Sequence, residues 1–164
     1  MTEFEEITLK KIIKSKMIDE FYVNLNVLLG SYHISNAKVS RMIGWDPAGY
    51  NQKMSRQSDL RLSTLLNICT AISELISEDD ATDMTRYSQF QEFEFSKLFT
   101  FSEFQLGDLF LHVSAVVEGT ETFLNTPARI KAYRSLKYHV FNKRHAPTFS
   151  DREKETYMKF YSLS

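Results

Sequence analysis

Four side chains in the stretch SNAKVSRMIGWDPAGYNQKMS, residues 35–55, have the chemistry to read the edge of a base pair: Ala48, Asn51, Gln52 and Ser55. Asn and Gln donate and accept together, which suits adenine; an alanine methyl can touch the methyl of thymine, and serine can take either hydrogen-bonding role. Around them stand Lys38, Arg41, Lys53 and Arg56, cations able to neutralise phosphates. The amides near Asn36 and Ala37 begin a helix, where an anion is favoured. Phosphate contacts supply most of the affinity of such a surface, so these local bases weigh more than the net charge of −1 on the whole chain.

For these groups to act together, residues 46–55 must form a helix held at a fixed angle by another. Ser35 is a good N-cap for a helix through NAKVSRMIG, with Val39 and Ile43 spaced four apart and Gly44 where a C-terminal cap is wanted. Asp46 caps the following helix, and Pro47 sits at its first position, where the missing N–H costs nothing. That helix is expected to run to about Met54 or Ser55, with Tyr50 and Met54 turned inward. Ser40 is small where the second helix crosses the first, and Gly44 supplies the positive φ of the turn.

The flanking segments supply the support. Ile18, Phe21, Leu25, Leu28 and Leu29 recur at helical spacing from Met17 to Ser31. The preceding ITLKKIIKSK predicts a short helical piece whose continuity with them is open. After a polar RQSDLR connection, LSTLLNICTAISELI places Leu62, Leu65, Leu66, Ile68, Cys69, Ile72 and Leu75 on a broad apolar face.

Residues 18–72 resemble the helix-turn-helix DNA-binding domain of the phage repressor and Cro family. The resemblance rests on Phe21, Leu25 and Leu28 in an opening helix, Ile34 and Ser35 leading into the second, Ser40 four residues before Gly44, and Tyr50 six after it. Its strongest part is RLSTLLNICTAI, where Leu62, Leu65, Ile68 and Ile72 match a leucine followed by apolar residues three, six and ten positions later. The family places an apolar residue nine positions after the turn glycine. Lys53 stands there and Met54 one later, which leaves the rotation of the third helix open. The resemblance implies double-stranded DNA as partner and a homodimer on two half-sites.

Elsewhere the chain has 13 Phe and 8 Tyr against 5 Gly and 3 Pro, which predicts long elements and aromatic packing. SEDDATD is the expected boundary. Beyond it, FQEFEFSKLFTFSEF leaves helix and strand unresolved around Phe90, Phe93 and Phe95, and better suits an aromatic core or dimer interface than a ligand pocket. Helices are expected in SEFQLGDLFLHVSAVV from a Ser102 cap, in PARIKAYRSLKYHVFNKR after Thr126-Pro127, and in SDREKETYMKFYSL, where Ser150 and Glu153 form a capping box. Residues 126–145 carry Arg129, Lys131, Arg134, Lys137, Lys143 and Arg144 with no acid. Interleaved with Tyr133, Tyr138 and His139, this stretch is either a solvated helix face or a second nucleic-acid contact.

Several function classes find no support. Five dispersed glycines cannot build a phosphate-cradling loop, and no nucleophile motif or paired acids stand in context, so no enzyme is expected. The lone Cys69 excludes an internal disulfide and reads as a small buried hydrophobe, while His33, His112, His139 and His145 lack metal-ligand spacing. Trp45 reads as a corner-packing aromatic. The longest apolar run, LFLHVSAVV, is too short to cross a membrane. The acids in MTEFEEITLKK do not suit a secretory leader, so a cytoplasmic location is expected.

The expectation is therefore a mainly α chain. Residues 1–76 form a Cro/repressor-like helix-turn-helix bundle, 77–86 an acidic linker, and 87–164 an aromatic-rich helical dimerisation or effector region. The expected function is sequence-specific DNA-binding transcription regulation, as a repressor, with no cofactor, metal or membrane. The competing class is an antitoxin-like or phage-encoded interaction module that uses the same fold on protein.

Overall fold

The computed structural model of the protein describes residues 1–55, 60–79, 98, 100–101, 104–122, 126–144 and 146–162. It is mainly helical. The helices among the described residues are α1 (Glu3–Ser31), α2 (Asn36–Met42), α3 (Pro47–Ser55), α4 (Leu62–Asp79), α5 (Leu106–Val117), α6 (Pro127–Phe141) and α7 (Asp151–Ser162), with a 3-10 turn at Ala146–Thr148. Strands β1 (Thr100–Phe101) and β2 (Phe104–Gln105) pair antiparallel, Thr100 opposite Gln105 and Phe101 opposite Phe104. No described helix is long and apolar enough to cross a membrane.

The chain divides into two compact units, residues 18–99 and residues 1–17 with 100–164. This differs from the division expected at 77–86: α4 continues through Asp79, and residues 80–86 lie outside those described. The cause is the first helix. ITLKKIIKSK and the Met17–Ser31 segment form one continuous helix, whose first half buries Leu9, Ile12 and Ile13 in one core and whose second half buries Leu25, Leu28 and Leu29 in the other. Each triplet has i, i+3, i+4 spacing and so makes one apolar stripe.

In the unit of residues 18–99, Leu25, Leu28, Leu29, Ile34 and Val39 pack with Tyr50, Ile68, Ile72 and Ile76. Leu62 and Leu66 depart from expectation, being 70% and 56% exposed. The face that α4 buries runs through Ile68, Ala71, Ile72, Leu75 and Ile76, and Leu66 lies on the other side of the helix from it.

In the other unit, α6 buries Ala132, Tyr133, Leu136, His139 and Val140 against Leu9, Ile12, Leu109, Val113, Tyr157 and Phe160. Tyr157, Tyr133 and His112 are joined in series. The Tyr157 hydroxyl donates to the Tyr133 carbonyl, Tyr133 Oη lies 2.8 Å from His112 Nδ1, and His112 Nε2 lies 2.9 Å from the Thr122 carbonyl. A carbonyl only accepts, so Nε2 carries the proton and Nδ1 accepts from Tyr133. Burial lowers the pKa of His112, in keeping with this neutral form. Helix α5 starts at Leu106, three residues later than a Ser102 cap implied, because the chain first doubles back through β1 and β2. Ser102, Phe90, Phe93 and Phe95 lie outside the described residues.

Helix ends follow local chemistry. Ser150 and Glu153 form the expected reciprocal box, and Thr2 with Glu5 forms another at the start of α1. Glu5 also takes the Lys159 ammonium at 2.7 Å, and Glu153 takes Lys11 at 2.7 Å. The Lys159 bond, then the Thr2 amide, hold the Glu5 carboxyl down to about 2. Burial alone would raise Glu153, but its bonds from Lys11 and Ser150 outweigh that and lower it. A lowered carboxyl lends stability that is complete above its ordinary value, 4.5 here, and is lost as the pH falls through the folded value. Glu5→Gln should cost about 0.5–1 kcal/mol at neutral pH, the scale of a solvent-screened pair, and the deficit should fade as the pH drops toward 2, as urea melts across that range would record.

Helix α1 ends with His33 at φ 55°, the Ile34 amide donating to Leu29 O and the His33 amide to Gly30 O. This is a Schellman cap with a β-carbon where glycine is usual. Relief of that strain, offset by the freer unfolded chain, predicts that His33→Gly gains about 0.5–1 kcal/mol in denaturant titration. Gly44→Ala at the equivalent position of α2 should lose about 1–2 kcal/mol.

Candidate nucleic-acid interface

The corner between α2 and α3 is built from backbone upward. The Ser35 hydroxyl accepts the Lys38 amide at 3.2 Å and starts α2. At the other end Gly44 takes φ 77°, the Gly44 amide donates to Arg41 O and the Trp45 amide to Ser40 O at 2.8 Å, a complete Schellman cap. Ser40 is wholly buried, its hydroxyl returned to Ala37 O at 3.0 Å, so a small polar group occupies the interior without an unpaired donor.

Asp46 then caps α3, its two carboxylate oxygens 3.1 and 2.9 Å from the Gly49 amide. A β-carbon on Gly49 would come within 2.9 Å of that carboxylate, so glycine lets the cap fold over the first turn. The acid near the exposed face is thereby occupied. Tyr50 is wholly buried and Met54 packs against the same core. Burial, then the nearby Tyr22, pushes the Tyr50 hydroxyl up to about 12. Cys69 is buried as expected, and burial pushes its thiol up to about 11.

With Tyr50 and Met54 inward, the rotation of α3 is settled. Ala48, Asn51 and Gln52 are exposed and share one face at i, i+3, i+4 spacing. Ser55 falls on that face by spacing, but its side chain lies outside the described residues, as does Arg56. Lys53 is exposed on the flank, with its ammonium 4.5 Å from the centre of the Trp45 ring. Trp45 in turn sits 6.1 Å from the Tyr50 ring, so it packs the corner as expected and also seats a cation.

On α2, Lys38 and Arg41 are exposed and Asn36 and Ala37 half-buried. Arg41 Nε donates to Ala37 O at 3.2 Å, which lays its side chain along the helix. The described bases of the corner are therefore Lys38, Arg41 and Lys53, against Asp46. Lys53 of helix α3 is balanced by its cap Asp46, and the positive charge of the corner comes from Lys38 and Arg41 on α2. The sequence named Lys38, Arg41 and Lys53 as candidate contacts but gave no sign of the Lys53–Trp45 contact beyond the eight-residue separation of the two.

Among the described residues no group of three or more His, Cys, Asp or Glu could hold a metal ion. No protein-family model, curated protein or solved structure matches the chain.

Proposed function

We propose that the chain is a sequence-specific DNA-binding transcription regulator, a cytoplasmic repressor that lays α3 in the major groove of double-stranded DNA. The observation that carries this reading is the shared exposed face of Ala48, Asn51 and Gln52 on a helix locked by Gly44, Asp46 and Tyr50. Lys38 and Arg41, exposed on α2, would neutralise phosphates, with Lys53 held on Trp45. Ser55, Arg56 and the first amides of α2 at Asn36 and Ala37 complete the contact set in this reading. A single helix reads few base pairs, so the protein acts as a homodimer on half-sites about 34–36 Å apart.

Selection from a random duplex library tests this. The wild type should enrich a repeated half-site, and Gln52→Ala should lose preference at one position of it. Failure of any sequence to enrich, or binding indifferent to salt, sinks the reading.

A protein-interaction module is the second reading, and one observation favours it. Leu62 and Leu66 lie one turn apart on α4 and are both mostly exposed, where a monomer gains nothing from leucine. In that case Leu62→Glu would abolish partner capture while Gln52→Ala would not.

A further inference from the structure

Helix α6 carries a surface that the corner of α2 and α3 does not use. Arg134, Tyr138 and Phe141 fall at i, i+4, i+7, with Lys137 between them, so they form one stripe. Tyr138 is 74% and Phe141 44% exposed, in a helix whose opposite side is wholly buried. Arg134, Lys137, Tyr138, Phe141 and Asn142 together line a shallow hollow. The Lys137 ammonium stands 4.6 Å from the centre of the Tyr161 ring. Exposed Lys143 and Arg144 follow in the next turn, and residues 126–145 contain no acid. Tyr133 and His139, interleaved with these bases in the sequence, are buried and play no part.

We infer that this stripe binds single-stranded nucleic acid, with bases stacked on Tyr138 and Phe141 and phosphates held by Arg134 and Lys137. Charge selects the partner first: the described side chains lining the hollow include two cations and no acid, which is complementary to a polyanion. The rings then select its form. Stacking requires the open face of a base, which a duplex hides and a single strand offers, and a π-face is common to every base, so little sequence preference follows. A lipid surface fits less well, because Phe141, only 44% exposed, is the one wholly apolar side chain of the stripe, too little apolar area to anchor it.

The proposal is independent of the function assigned to α3, and its test keeps the two apart. The full chain carrying Lys38→Ala and Arg41→Ala, which removes the phosphate contacts assigned to α2, is titrated by fluorescence anisotropy with a labelled oligo-dT strand, a random duplex, and phosphatidylserine vesicles. The strand should bind more tightly than the duplex, and the vesicles should not compete. In that background Tyr138→Ala should weaken the strand about tenfold and Tyr138→Phe should restore it, since stacking needs the ring and not the hydroxyl. Arg134→Glu should weaken it at low salt and flatten the salt dependence. Equal binding of strand and duplex, competition by vesicles, or no effect of Tyr138→Ala would each overturn it. Because Tyr138 is so exposed, the variants should melt like the parent, and a lowered melting point would overturn its assignment to a surface role.

Discussion

Tyr50→Ala is expected to remove about 3–5 kcal/mol of stability, the cost of emptying a buried aromatic site. Small domains hold only about 5–15 kcal/mol in total, so this one change should leave the unit of residues 18–99 near its limit. Tyr50→Phe should do the opposite. The Tyr50 hydroxyl is buried without a hydrogen-bond partner among the described residues, so phenylalanine keeps the wedge and removes a desolvated polar group. It should be neutral or gain about 1 kcal/mol. Trp45 is the chain's one tryptophan and packs beside Tyr50, so its fluorescence in urea reports the unfolding directly. If alanine costs less than about 1 kcal/mol, Tyr50 does not set the angle between α2 and α3, and the exposed face of α3 loses its anchor.

Features that depend on neighbours in the chain were legible in the sequence. Ser35, Gly44, Asp46, Ser150 with Glu153, and Thr126 before Pro127 each act within one helical turn, and each stands where its residue type requires. The cap at His33 was not legible, because a histidine at positive φ is held there by Ile34 and the Leu29 carbonyl and not by any preference of its own. Nor was the continuity of α1. A stripe of Leu9, Ile12 and Ile13 says that one face is buried but not by what, and the partners, Tyr133, Leu136 and Tyr157, come more than a hundred residues later. Ion pairs of Lys11 with Glu153 and Lys159 with Glu5 span the same distance. Hence the first 17 residues group with residues 100–164, a pairing that composition near 77–86 could not reveal.

At the candidate site the limiting quantity was rotation. Helix α3 is short and polar, so its sequence alone allowed Lys53 or Met54 to face inward. Packing decides it, since Met54 can join the core with Tyr50 while Lys53 keeps its charge in contact with Trp45 and solvent. Leu62 and Leu66 show the reverse case. Their apolar character suggested burial, but α4 already fills its buried face with Ile68, Ile72 and Ile76.

That rotation makes the DNA proposal sharp enough to separate its two kinds of contact. Asn51 and Gln52 would read base edges, and each bidentate amide–base pair is worth about 1–3 kcal/mol of discrimination. The double variant Asn51→Ala, Gln52→Ala should therefore lose about 2–6 kcal/mol on the selected site, if the two add, and almost nothing on random duplex. Lys38→Ala and Arg41→Ala should weaken both duplexes equally and lower the slope of log affinity against log salt by about one each. Both amides are exposed and neither lies in the core, so a melting curve should be unchanged in the double variant. Equal losses on selected and random duplex would make α3 a phosphate-binding helix, and an unchanged salt slope without Lys38 and Arg41 would place the backbone contact elsewhere on the molecule.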